Sequence, residues 1–285
     1  MTSLEQIRGW VLDVDGCLVR TSRAGGRGGT ALPGAAGLLA ALRAAGHRVI
    51  VCTNASEKAP AAYADHLRSI GLPVEDSAFV TAGSATVDHI HAHHPGARVL
   101  AVGDEGLTVP LREMGITRAG ADDAEPADVV VVGAASSYSA ADLSAAALAV
   151  DAGAAFYTTV GSAWFHGGLG RSLAVSGAVA ASITWATGTA PAVGGKPSPV
   201  LAASLLRRLA LPPEQVAVVG DAVAEIALAR HMGARSVAVL SGALTPADLD
   251  RMTPDQRPDL VLDDVAELHR RLGPSQPASQ QGVFS

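Results

Sequence analysis

Short apolar runs and helically spaced leucines alternate along most of the chain. Residues 7–12 are an apolar run that stops at acidic residues, the pattern of a buried strand ending at Asp13. Leucines at 38, 39 and 42 mark a helix over 35–45, with Gly46 as its stop. A β-branched run at 48–52 predicts a second strand that ends at Thr53 and Asn54, and 59–70 reads as a helix closed by Gly71. Strand and helix in alternation predict a parallel sheet covered on both faces.

The middle of the chain repeats this grammar. Strands are expected at 98–102, 128–132 and 155–159, and helices at 109–114, 140–151 and 174–187, the last ended by Gly188. A Gly-rich loop is expected over 160–171. This stretch reads as a small α/β domain of its own. The last third again alternates, with helices at 200–209 and 225–231 and strands at 215–219, 236–240 and 259–262. The tail from Gly273, rich in Pro, Ser and Gln, reads as a disordered end. There is no internal repeat of 20 to 50 residues.

Composition narrows the function classes. Hydrophobic residues make up 48 % of the 285, which is ample for a buried core in one large or two moderate domains. The formal net charge is −6 with no basic run, which argues against nucleic acid as a partner. No apolar stretch of about 18 residues lacks helix breakers or polar interruptions, so no membrane span is expected. The N-terminus has no signal-peptide pattern. Cys17 and Cys52 alone make neither a disulfide framework nor a zinc site, and a reducing cytoplasm is the expected location. They read as small buried hydrophobes, with a redox link as the alternative.

Open α/β sheets bind ligands at the carboxyl ends of their strands. Three predicted strands end in polar residues: Asp13, Asp15 and Gly16 after the first, Thr53 and Asn54 after the second, Gly220 and Asp221 near the end. Lys196 precedes a predicted helix. Carboxylates, a hydroxyl, an amide and one cation are what phosphoryl transfer through an aspartyl phosphate needs. A carboxylate cannot approach a phosphate dianion unaided. A divalent cation can bridge them, and a lysine and backbone amides offset the remaining charge. Taken singly, these residues would read as a solvated turn, a helix cap and a surface lysine.

In order and spacing, four motifs resemble those of the haloacid dehalogenase (HAD) superfamily of phosphatases. They are DVDGCL at 13–18, Thr53 with Asn54, GKPSP at 195–199 and VVGDAVAE at 218–225. The segments at 32–56, 99–116, 186–199, 236–242 and 259–268 further resemble the NagD-like subclass. That resemblance implies a doubly wound parallel-sheet core over 1–79 and 188–285 with an inserted α/β cap of the C2 type over 80–187. It implies Mg2+ as cofactor and a small phosphorylated metabolite as substrate: a nucleoside monophosphate, phosphoglycolate, glycerol phosphate, pyridoxal phosphate or a sugar phosphate. It also implies a homodimer through the cap. By the same resemblance, Asp13 attacks phosphorus and binds Mg2+. Asp15 is the general acid and base, and its carbonyl touches the metal. Thr53 and Asn54 hold phosphoryl oxygens, Lys196 neutralises nucleophile and phosphate, and Asp221 is a second carboxylate on the metal. A phosphotransferase or mutase, or a homologue that binds without turnover, are the alternative readings.

Two positions depart from the family pattern. Ile226 stands where a second aspartate is usual in the fourth motif, and a one-residue deletion in the alignment brings Glu225 there instead. In the cap, Thr158, Thr159, Val160 and Gly161 replace Thr-Asn-Pro-Asp. Trp164, Phe165, His166 and Arg171 in the following loop are candidates for contact with the leaving group, the alternative being cap packing. The tract His89, His91, His93 and His94 resembles a metal tract and reads as the polar end of a helix before Pro95 and Gly96.

Overall fold

The computed structural model describes residues 4–21, 28–167 and 170–273. The tail expected to be disordered lies, beyond Gly273, outside the described residues. The chain opens with β1 (Gly9–Asp13), buried along its whole length. A small antiparallel pair follows, β2 (Val19–Arg20) and β3 (Thr30–Ala31). Next come α1 (Ala35–Ala44), β4 (Arg48–Thr53), α2 (Pro60–Ser69) and β5 (Phe79–Thr81). The middle runs α3 (Ala82–His93), β6 (Val99–Val102), α4 (Glu105–Glu113), β7 (Arg118–Ala119), β8 (Val129–Val132), α5 (Ala140–Asp151) and β9 (Ala155–Thr158). After these come β10 (Trp164–Gly167), β11 (Gly170–Leu173), α6 (Val175–Thr187) and β12 (Ala192–Val193). The chain closes with α7 (Pro199–Leu209), β13 (Val216–Gly220), α8 (Val223–Met232), β14 (Arg235–Val239), α9 (Pro246–Arg251), β15 (Leu260–Leu262) and α10 (Val265–Leu272).

Two parallel sheets result. The larger has the order β15-β14-β13-β1-β4-β5, the smaller β12-β9-β8-β6-β7. Every neighbouring pair in both is parallel. Continuous apolar strands such as the four valines of β8 suit this arrangement, since helices cover both faces. Side chains of β1 alternate between the faces: Trp10 and Leu12 join the core with α1 and α2, Val11 the core with α7 and α8. Cys17 belongs to the first of these cores and Cys52 to the second, so the sheet separates the two free thiols.

In the larger sheet the chain winds outward from β1 through β4 and β5 on one side, and from β13 through β14 and β15 on the other. The strand order reverses at β1, and a crevice opens there at the carboxyl ends of β1, β4 and β13.

Several elements differ from the sequence pattern. The expected loop at 160–171 contains the antiparallel hairpin of β10 and β11. Helix α3, whose polar end is expected at His89 to His94, reaches back to Ala82, although its first turns are small and β-branched. Its capping box, with Thr81 and Ser84 each bonding the other's backbone N–H, starts it nonetheless. Helices α4 and α8 begin four and two residues earlier than the apolar spacing suggests. Strand pairing in the larger sheet reaches Thr81, and Val193 still pairs with Thr158 in the smaller one.

Candidate active site

The crevice gathers the polar strand ends. Asp13 closes β1, Thr53 closes β4, and Asp221 follows Gly220 at the end of β13. All three side chains are buried, as is Glu225 in the first turn of α8. Asp13, Asp221 and Glu225 each offer a carboxylate oxygen within 4.8 Å of the others. The Glu225 side chain turns back over the strand end. It accepts the Ala222 N–H at 3.1 Å and pairs with Lys196 Nζ at 2.8 Å. Gly220 makes room for it, since a Cβ there would stand 2.1 Å from Glu225 Cγ.

Asp221 is held in the same manner. Its Oδ2 accepts the Ala243 N–H at 2.6 Å. A Cβ on Gly16 would lie 2.2 Å from that oxygen, and one on Gly242 would lie 1.9 Å from it. The backbone of the loop after β14 therefore closes on this carboxylate. Neither Gly242 nor the Ala243 amide was singled out from the sequence; a backbone N–H leaves no residue signature.

Lys196 is buried and its ammonium hydrogen-bonds Asp13 Oδ1. Asn54 holds the lysine's main chain from both sides, accepting its N–H at 2.7 Å and donating to its carbonyl at 3.2 Å. The side-chain amide of Asn54 is thus committed to the Lys196 backbone. Thr53 Oγ1 accepts the Ala55 N–H at 3.2 Å. Asp15 lies two residues beyond β1's end, in a bridge with Val19.

Burial pushes the Asp13 carboxyl above its ordinary range, and Lys196 opposes that shift. Asp221 is pushed up to about 6 by burial and by the Glu225 charge. Lys196 is held above its usual value by Asp13 and Glu225, against the cost of its own burial. Three carboxylates around one ammonium leave two negative charges uncompensated in a low-dielectric site. A divalent cation on hard oxygen donors would cancel them. The residues present fit such an ion.

A cavity of about 400 Å³ joins this cluster to the chain after β9. It is lined by Asp13, Asp15, Thr53, Asn54, Lys196, Asp221 and Glu225 on one side and by Ser162, Ala163 and Trp164 on the other. Of the expected leaving-group residues, Trp164 reaches this wall. Phe165, His166 and Arg171 fall within the hairpin, and their side chains lie outside the described residues. The histidine tract is elsewhere: His89 stacks on His93 at 3.9 Å and His94 Nε2 hydrogen-bonds the Tyr157 hydroxyl at 2.8 Å. Among the described residues Asp13, Asp221 and Glu225 are the group with metal-holding geometry. Burial raises both cysteine thiols, that of Cys52 to about 12, so neither is a ready nucleophile.

The chain is similar to known proteins. The family described as haloacid dehalogenase-like hydrolase matches residues 10–117, and a second, HAD-hydrolase-like family matches 193–268. An acid sugar phosphatase of Staphylococcus aureus is 28 % identical over 247 residues, 86 % of this chain and 91 % of that protein. NagD from Escherichia coli K-12 superposes with a TM-score of 0.79 at 29 % identity, covering 92 % of this chain and 98 % of that one. A glycerol phosphate phosphatase from Mycobacterium tuberculosis, solved in complex with magnesium, superposes with a TM-score of 0.81 at 27 % identity. That match covers 94 % of this chain and 78 % of the other. Among the described residues no helix is long and apolar enough to cross a membrane.

Proposed function

Since the chain belongs to the haloacid dehalogenase-like hydrolases, as one of their NagD-like phosphatases, we propose that it hydrolyses small phosphomonoesters through an aspartyl phosphate on Asp13. The observation that carries this reading is the ion-paired cluster at the strand-order reversal, with Lys196 between Asp13 and Glu225 and Asp221 alongside.

Asp13, Asp221 and Glu225 would hold Mg2+, with the Asp15 carbonyl beside them. When bound, the ion supplies charge neutralisation between the attacking carboxylate and the phosphate oxygens. Asp13 attacks phosphorus in line, and the bond from phosphorus to the leaving oxygen breaks. Asp15 donates its proton to that oxygen. In the second step Asp15, now a carboxylate, takes a proton from water. The water oxygen attacks phosphorus, the Asp13–phosphorus bond breaks, and inorganic phosphate leaves. Lys196 opposes the rise that burial gives the Asp13 carboxyl and orients its carboxylate. The Thr53 hydroxyl and the backbone N–H of Asn54 receive phosphoryl oxygens, while the Asn54 amide holds the lysine in place.

The segments 1–79 and 188–285 act as the catalytic core and 80–187 as the cap that reads the leaving group, with strand pairing carrying the core to Thr81 and the cap sheet to Val193. The relatives act on sugar and glycerol phosphates by name, and esters of that size are the substrate class proposed here. A homodimer through the cap is supported by the outer faces of α5 and α6, where Leu148 and Trp185 are 68 % and 89 % exposed.

The test is phosphate release from 4-nitrophenyl phosphate and from a panel of sugar and polyol phosphates, with and without Mg2+. Hydrolysis that needs Mg2+ and disappears in Asp13→Asn is the expected result. Turnover that survives Asp13→Asn removes Asp13 as nucleophile, and no release from any ester removes the phosphatase reading.

A further inference from the structure

The smaller sheet has its own crevice at the carboxyl ends of its strands, the place where a parallel α/β sheet takes a ligand. That crevice is filled by the chain's own loop directly after Thr53 and Asn54. Ser56 is at its centre. The Ser56 hydroxyl accepts the Ala134 N–H at 3.1 Å, just past β8, and hydrogen-bonds Thr159 Oγ1 at 2.9 Å, just past β9. Both hydroxyls are buried. The Ser56 carbonyl lies against the start of α4, where a Cβ on Gly106 would stand 2.0 Å from it. Gly106 N–H donates to the Glu57 carbonyl at 3.1 Å.

Thr159 touches a second loop of the site. Gly194 N–H donates to the Thr158 carbonyl at 2.7 Å, and a Cβ on Gly195 would stand 2.3 Å from the Thr159 carbonyl. The end of β9 is therefore braced between the loop that carries Thr53 and Asn54 and the loop that carries Lys196. Three residues after Thr159 begins the wall of Ser162, Ala163 and Trp164 that faces Asp13 across the cavity.

We propose that Ser56 and Thr159 are positioning residues. Their hydroxyl pair fixes the smaller sheet on the two catalytic loops and so sets the distance from the 162–164 wall to Asp13. The consequence for turnover rests on the phosphatase reading of the cavity; the structural link does not. A wall displaced by an ångström matters only for a leaving group long enough to meet it. The hydroxyl pair thereby couples cap position to substrate choice.

The test compares Ser56→Ala, Thr159→Val, Thr159→Ser and the Ser56→Ala/Thr159→Val double variant. Each is assayed on 4-nitrophenyl phosphate, whose ring extends well beyond the phosphate, and on acetyl phosphate, whose acyl group is far shorter. Ser56→Ala leaves the Ala134 N–H and the Thr159 hydroxyl without their partner. It should lower kcat/KM for 4-nitrophenyl phosphate roughly tenfold, the scale of one lost buried hydrogen bond, and that for acetyl phosphate by about twofold at most. The double variant should lose no more than the worse single one, because the two hydroxyls act as a unit. Thr159→Ser should behave as the unsubstituted protein. Amide hydrogen exchange at Ala134 and over 160–163 should quicken in Ser56→Ala. Equal losses on both substrates, multiplying losses in the double variant, or unchanged exchange at Ala134 would overturn the proposal. If the unsubstituted protein releases phosphate from neither compound and from no ester of the sugar and polyol panel, the phosphatase reading falls, and the exchange at Ala134 alone decides the link.

Discussion

Asn54 grips Lys196 by its backbone, with Oδ1 taking the lysine N–H at 2.7 Å and Nδ2 giving to the lysine carbonyl at 3.2 Å. The two residues are 142 positions apart, and the contact ties the end of β4 to the loop before α7. It places an ammonium between Asp13 and Glu225 without any surface partner for support. Asn54 is expected at the phosphate, and its side chain also holds the backbone of the residue that neutralises the nucleophile.

Asn54→Ala should therefore act through Lys196. The lysine main chain loses two hydrogen bonds, and its ammonium drifts from Asp13. We expect kcat to fall by about 10- to 100-fold, as for other outer-shell supports of a reacting centre, with a smaller change in KM. Asn54→Asp retains one acceptor but adds a fourth carboxylate to a site already short of positive charge, so it should be no better. Steady-state kinetics on both variants check this. A rise in KM alone would return Asn54 to direct phosphate binding.

Gly242→Ala tests the cradle around Asp221. A methyl at this position would overlap Asp221 Oδ2, which lies 1.9 Å from the Cβ site. The carboxylate must swing away and give up the Ala243 N–H. Mg2+ affinity, measured by titration calorimetry, should weaken by about 10- to 100-fold, the usual scale for disturbed support of a metal ligand, while the circular dichroism spectrum is retained. Unchanged affinity would remove Asp221 from the metal.

The residues at the site were legible because each terminates a recognisable strand. Asp13, Thr53 and Asp221 follow runs such as 7–12, 48–52 and 215–219, where apolar periodicity stops. Lys196 was legible from GKPSP. What the sequence hid is held by backbone and by distance along the chain. The Ala243 amide on Asp221 and the Asn54 amide on Lys196 have no spacing to read. The start of α3 was hidden because Gly83, Thr86 and Val87 are poor helix formers, and its stability comes from packing on α4 and α7. The hairpin of β10 and β11 was hidden by glycines that read as a loop.

His89 gives the fold an acid-sensitive point away from the active site. Burial and the neighbouring His93, Arg207 and His94 lower it to about 4, and its Nδ1 is buried without a partner. Its neutral form is the one the fold accepts. The unfolded chain takes up this proton near pH 6.5, the folded protein only near 4. Its contribution is thus intact above 6.5 and lost as pH falls from 6.5 towards 4. In saturating Mg2+, His89→Gln should flatten the decline of melting temperature between pH 6.5 and 4. An unaltered pH profile would show that His89 titrates normally.

The metal-free site should behave in the opposite sense. Asp221 has its proton held up to about pH 6 in the folded chain, against about 3.9 unfolded, the ordinary aspartate value. Between these values the folded state binds more protons than the unfolded one. Stability without metal is therefore full below about 3.9 and falls as pH rises through 6, by on the order of 3 kcal/mol. Asp13, also raised by burial, adds to the same slope. Mg2+ needs the ionised carboxylates, so its affinity should climb with pH through 6 and then level off. Thermal unfolding of the His89→Gln protein in chelator, free of the opposing histidine, should show a melting temperature that drops from pH 4 to 7, and excess Mg2+ should reverse that drop at pH 7 but not at pH 4. Equal stabilisation by Mg2+ at both pH values would mean that Asp221 does not exchange its proton for the ion.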